Sequence, residues 1–174
     1  MPFLGGCGAP VADNFGAAQL FFSYRLCYLC KMLKETLVSA AQAGAEVMKY
    51  YFSSKNLAIS NKEGINNLVT EADHASEKAI LDTIRNKFPD HFILSEETGE
   101  IVMDSTYKWI IDPIDGTVNY ANGIPICAVS IGIEYQGELI MGSVYNPFLK
   151  EFYFAEKGEG ATLNGEEIQV SSQS

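Results

Sequence analysis

Basic residues are scarce in this chain: 12 lysines and arginines face 22 aspartates and glutamates, for a net charge of −10. There is no positive surplus to displace counterions, which argues against nucleic-acid binding through a basic surface. Long apolar runs are missing too. The best stretch, Ala17 to Cys30, is broken by Arg25, and Met1 to Gly6 carries no basic n-region, so neither a membrane span nor a signal peptide is expected. Histidine occurs only at His74 and His91, and the four cysteines (Cys7, Cys27, Cys30, Cys127) include a single CxxC. A zinc site needs a second pair or suitably spaced histidines, so Cys27 and Cys30 read as structural thiols. Reduced thiols and a cytoplasmic location are the default. Repeats and low-complexity linkers are absent.

What remains is a chain of 174 residues, 47% hydrophobic and 20% charged, enough for one domain with a sizeable core. Residues 1–31 differ from the rest. They hold one acid (Asp13), two bases (Arg25, Lys31) and a glycine-rich start, and they read as an extension with little role in chemistry. The domain proper is expected over residues 32–174.

Apolar or small residues at Leu33, Leu37, Ala40, Ala41, Gly44, Met48 and Tyr51 give helical spacing over Leu33 to Phe52. A short strand is expected at Leu57 to Ser60 and a turn around Gly64 and Asn66-Asn67. A second helix then opens at Thr70 or Glu71, with Ala72, Ala75, Ala79, Ile80, Ile84 and Phe88 inward and Pro89 as its stop. Beyond it the period shortens. His91 to Ser95, Tyr107 to Ile111, Ile126 to Tyr135, Glu138 to Tyr145 and Glu151 to Ala155 read as strands. Gln136-Gly137 and Asn146-Pro147 read as turns, and Asn164-Gly165 as a hairpin turn. Helices followed by an antiparallel meander define an α+β class.

The chemistry concentrates in Trp109-Ile110-Ile111-Asp112-Pro113-Ile114-Asp115-Gly116-Thr117-Val118-Asn119. Pro113 fixes its own φ and pushes Asp112 into extended backbone, so Asp112 is expected to end a strand. Two carboxylates with the Ile114 carbonyl between them suit Mg²⁺, which takes oxygen ligands and keeps several waters. Gly116 permits close backbone approach, and a short helix from Thr117 to Tyr120 would aim N–H groups at a phosphate. Glu96, of the pair Glu96-Glu97, would complete the site from a neighbouring strand end. With metal ions bound, such a site can activate water without a serine or histidine nucleophile. Taken singly, Asp-Pro and Asp-Gly are ordinary turn formers, Glu-Glu an ordinary solvated loop, Asp73 a helix-start acid and Lys62 a surface lysine. Only the long block in its strand–turn–helix context is specific.

Leu68-Val69-Thr70-Glu71-Ala72-Asp73, Ser95-Glu96-Glu97, the block from Trp109 to Asn119, Val129-Ser130-Ile131-Gly132 and the stretch from Gly158 to Val170 together resemble the inositol monophosphatase family, over residues 33–171. The resemblance implies a layered α+β fold and a magnesium-dependent hydrolase of small phosphate monoesters, most often inositol monophosphate, lithium-sensitive and homodimeric. By the same resemblance Glu96, Asp112, Ile114 (through its carbonyl) and Asp115 are metal ligands, and Glu96 also helps activate water. Asp115 approaches a substrate hydroxyl, Gly116 and Thr117 cradle the phosphate, Asp73 supports Thr117, and Lys62 lies on a mobile loop near the metals. Family members continue beyond this length and supply a further aspartate after a tryptophan. Here the last aspartate is Asp115 and the sole tryptophan Trp109, so the chain resembles an amino-terminal portion with an incomplete second metal site. Two alternatives stay open: a non-catalytic half-domain that binds a partner or itself, and a phosphatase acting on a fructose bisphosphate or a nucleotide 3′-phosphate.

Overall fold

A computed structural model describes the backbone of residues 17–55 and 62–171 and the side chains of residues 27–53 and 71–171. The strand expected at Leu57 to Ser60 and the side chain of Lys62 lie outside the described residues. Two long helices, α1 (Ala17–Lys55) and α2 (Lys62–Arg85), precede β1 (Phe92–Ser95), β2 (Gly99–Ile101) and β3 (Tyr107–Asp115). A short α3 (Thr117–Ala121) leads into β4 (Ala128–Tyr135), β5 (Glu138–Asn146), β6 (Glu151–Glu156), β7 (Gly160–Leu163) and β8 (Glu166–Ile168). The strands form one sheet in the order β2-β1-β3-β4-β5-β6-β7-β8.

The α+β class holds, with differences in detail. The first helix begins at Ala17 rather than near Met32, so part of the expected extension is continuous with it. The second helix begins at Lys62, running through Gly64 and Asn66-Asn67 where a turn was expected. Local preferences cost at most about 1 kcal/mol per residue, and propagation of a nucleated helix overrides them. The sheet is mixed rather than purely antiparallel, because β1 runs parallel to β3. The hairpin strand β2 was not anticipated. Three residues, Glu96-Glu97-Thr98, separate it from β1, and Gly99 at φ 78 closes the turn in the left-handed region. Asn164-Gly165 and Gln136-Gly137 both take positive φ at both positions, the geometry of two-residue hairpins.

The helices cover one face of the sheet. Leu33, Leu37, Ala40 and Ala41 of α1 and Ile80 and Ile84 of α2 pack on Ile93, Trp109, Ile111, Val129, Ile131 and Ile133. Trp109 is fully buried, and its indole N–H donates to His91 Nδ1 at 3.0 Å. Burial holds the His91 imidazole below its ordinary pKa, which favours the neutral form that can accept this bond. On the opposite face the register aligns Leu94, Ile110, Gly132, Gly142, Ala155 and Ala161 across six strands. That lane floors an open trough of about 950 Å³, whose lining includes Leu139, Val144 and Tyr153. Among the described residues nothing covers it.

Gly44 sets the spacing of the two helices. A Cβ there would sit 2.7–2.9 Å from Ile80 and Ser76, so the absence of a side chain lets α1 and α2 close up. In Gly44→Ala the helix-propensity gain of about 1 kcal/mol meets an overpacking cost of about 1–3 kcal/mol. The expected result is a net loss on the order of 1 kcal/mol in urea unfolding, and a stabilised variant would show that the helices can part freely.

Candidate active site

Strands β1 and β3 run parallel and end together. Ser95 pairs with Ile111, and the Glu96 N–H donates to the Ile111 carbonyl at 3.1 Å. The pairing therefore extends one step and sets Glu96 beside Asp112. Strand β3 does not stop there as expected. It continues through Pro113 to Asp115, with Asp112 opposite Ser130 and Asp115 opposite Ala128. Three steps on β3 match two on β4, which is a β-bulge. In a regular strand, residues three apart face opposite sides. The extra residue returns Asp115 to the side of Asp112. Pro113 is tolerated because a bulge does not need its missing N–H.

The turn is braced from within. Asp112 Oδ1 accepts the Ile114 N–H at 3.2 Å. The Ile114 side chain is buried with Met48, Ala72, Tyr120 and Cys127 in a small second core, and the Tyr120 hydroxyl donates to the Met48 carbonyl at 2.8 Å. Gly116 caps α3 at φ 89, ψ 37, and a Cβ there would lie 3.0 Å from the Ile126 carbonyl. Both the backbone angle and the space call for glycine. The expected helix from Thr117 is present, running to Ala121.

Helix α2 supplies the third wall. Asp73, Ser76 and Glu77 share one face by their i, i+3, i+4 spacing, and all three are buried. The Ser76 hydroxyl lies 3.1 Å from the Pro113 carbonyl and 3.3 Å from that of Gly44, and donates between them. Glu77 accepts the Thr98 N–H at 2.9 Å on one oxygen and the Thr98 hydroxyl on the other. His74 lies 3.8 Å from Glu97 at the rim.

The acids repel one another. Burial first, then Glu96 and Asp115, push the Asp112 carboxyl up to about 6, helped by a hydrogen bond with Glu96 and opposed by the Ile114 N–H. Burial, then Glu97, Asp112, Glu96 and Glu77, push Asp73 up to about 7. The backbone bond from Glu96 to Ile111 brings these acids to one place, and each raises the cost of ionising the next. The donors are all oxygens. Among the described residues no three His, Cys, Asp or Glu side chains are grouped so as to hold a metal ion by themselves. Mg²⁺ sites in general need only one or two carboxylates with waters and phosphate oxygens, and the oxygen donors of Glu96 and Asp112 fit that pattern.

Of the residues picked out in the sequence, the structure gathers Glu96, Asp112 and Asp115 into one electrostatic cluster, with Asp73 facing it. Ile114 lies between the two aspartates, and Gly116 and Thr117 follow directly. Ser76, Glu77 and Thr98 were missed. The available signal was two polar residues interrupting the apolar stripe of α2 within one turn of Asp73.

With this geometry in view, the chain's relatives include inositol monophosphatases and SuhB proteins of the same fold. The chain matches the inositol monophosphatase family over residues 31–174 and belongs to it. It is 41% identical over 143 residues to the Nus factor SuhB of Haemophilus influenzae, covering 82% of this chain and 53% of that protein. It is likewise 41% identical over 140 residues to a fructose-1,6-bisphosphatase/inositol-1-monophosphatase of Aquifex aeolicus, covering 80% and 53%. Among solved structures, inositol monophosphatase from Anabaena superposes with a TM-score of 0.71 at 37% identity, over 83% of this chain and 51% of that one. The chain spans about half the length of the relatives it matches.

The raised carboxyls predict how stability follows pH. Asp73 and Asp112 keep protons in the folded chain that the unfolded chain has already lost near its ordinary value of 3.8. Their contribution is fully present below that value and is lost as pH rises through about 6 for Asp112 and about 7 for Asp73. In metal-free buffer the urea midpoint should therefore fall between pH 5 and pH 8, by the linkage relation. Asp73→Asn should flatten that fall, and an unchanged slope in the variant would remove Asp73 as its source.

Proposed function

We propose that this chain carries the phosphate-and-magnesium end of a phosphatase for small phosphate monoesters, with inositol monophosphate as the substrate. The observation that carries the reading is the placement of Glu96 and Asp112 side by side at the ends of two parallel strands, with Asp115 brought round by the bulge. Glu96, Asp112, the Ile114 carbonyl and Asp115 would hold Mg²⁺. Bound there, the ion would supply Lewis-acid charge to phosphoryl oxygens and make water a better nucleophile.

The chain's own groups have separate tasks. Glu96, exposed at the hairpin tip, accepts the proton of the attacking water. Thr117 orients that water with its hydroxyl, and Asp73 steadies Thr117. The backbone of Gly116 and Thr117 takes the phosphate oxygens, and Asp115 accepts a hydrogen bond from a substrate hydroxyl. Lys62 joins the reading by the family resemblance alone, as a lysine near the metals. A cytoplasmic location belongs to the same reading, by the redox default for a chain with four scattered cysteines. No described helix is long and apolar enough to cross a membrane.

Titration calorimetry should detect Mg²⁺ uptake by the chain, and Asp112→Asn should abolish it. Magnesium-dependent phosphate release should disappear in Asp115→Ala. No uptake by the unaltered chain, or equal turnover by Asp115→Ala, would overturn the assignment. Inositol monophosphate should be turned over faster than fructose bisphosphate or a nucleotide 3′-phosphate.

The open sheet face favours a second reading, a module that pairs with a second copy of itself. Its lane of Gly132, Gly142, Ala155 and Ala161 lies beside the exposed Leu139, Val144 and Tyr153. Knobs beside a smooth lane are self-complementary under a two-fold axis, and sheets stack face to face at about 10 Å. Sedimentation velocity should then show a concentration-dependent dimer that Leu139→Glu returns to monomer. A compact monomer at every concentration would sink this reading.

A further inference from the structure

Glu77 is 3% exposed, and the proposed chemistry does not use it. A buried carboxylate is costly unless its lone pairs are satisfied. Here both oxygens are taken by one residue, Thr98, which lies 21 positions along the chain and gives its N–H at 2.9 Å and its hydroxyl. Thr98 is the last residue of the three-residue hairpin tip that carries Glu96. The tip is thus gripped at both ends: at Glu96 by the bond to the Ile111 carbonyl, and at Thr98 by the Glu77 carboxylate. The neighbouring Ser76 holds the Pro113 carbonyl inside the other acidic segment. Consecutive residues of one rigid helix therefore each anchor one of the two segments whose acids meet.

The geometry points to the Glu77–Thr98 pair as a positioning latch that fixes Glu96 against Asp112 and so sets the affinity for the cation. This rests on Glu96 being a cation ligand. The latch acts through backbone placement, since neither Glu77 nor Thr98 is among the proposed ligands. Thr98 is exposed, so its substitution leaves the core intact.

Two variants of the whole chain test it. Thr98→Val removes the hydroxyl donor at nearly constant shape, and Thr98→Ser keeps it. Hydrogen exchange, measured without metal, should show faster amide exchange over residues 96–98 in Thr98→Val and unchanged exchange in Thr98→Ser. Calorimetry with Mg²⁺ alone should show affinity about tenfold weaker or more in Thr98→Val, the usual cost of losing an outer partner. Thr98→Ser should bind as the unaltered chain does. Unchanged exchange in Thr98→Val, or equal losses in both variants, would overturn the latch. If the unaltered chain takes up no Mg²⁺, the ligand assignment of Glu96 falls by itself, and the exchange data still decide whether the latch holds the tip.

Discussion

One extra residue in β3 governs the site. Asp112 and Asp115 are an odd number of positions apart, and a regular strand would send one to the helices and the other to the open face. The bulge against β4 removes that conflict by matching three steps on β3 to two on its partner. Its position is chemically favoured. Pro113 has no N–H to lose from the ladder, and Asp112 takes the Ile114 N–H that the bulge frees. Without this irregularity the remaining acids would still crowd together, but no stiff bend would present them from one side.

The crowding opposes stability. Asp73, Glu77, Glu96, Glu97 and Asp112 influence one another, and burial raises the two aspartates among them well above ordinary carboxylates. A fold selected for stability alone would place apolar residues on this stretch of α2, as it does one turn later at Ile80 and Ile84. Acids gathered at a cost, and held by hydrogen bonds that fix their spacing, are what a cation site demands before the cation arrives. Gly44 extends the same logic outward. By letting the two helices close, it places Ser76 where its hydroxyl reaches the Pro113 carbonyl.

The legible part of this structure was the part encoded by period and by turn chemistry. The apolar stripe of α1, the alternation of β4 and the paired positive-φ turns could be read because burial on one face imposes them residue by residue. Asp112 and Asp115 were legible as a candidate pair because a long block leaves few other uses for its residues. The start of α2 was not, since Gly64 and Asn66-Asn67 carry a local turn preference that helix propagation overrides. Neither was the bulge. Pro113 pointed to a strand end, and whether a strand ends or bulges at proline depends on the partner strand, here on Ser130 and Ala128, which the local sequence cannot see. Glu77 escaped for the same reason. Its partner is distant in sequence, and a lone glutamate on a helix is ordinarily solvated.

The acidic site and the open face are parts of one surface, because Glu96 and Asp112 line the same trough as Leu94 and Ile110. Any polypeptide packed into that trough removes water from around these carboxylates as well as from the apolar lane. Lower local dielectric makes two unpaired acids costlier and a bound cation more favourable. A cation held there and a cover on the trough would then be coupled by linkage, to the same degree in both directions. The proposed cation site and the open sheet face would therefore share one coupling free energy, each changing the other's affinity by the same factor while keeping an intrinsic affinity of its own.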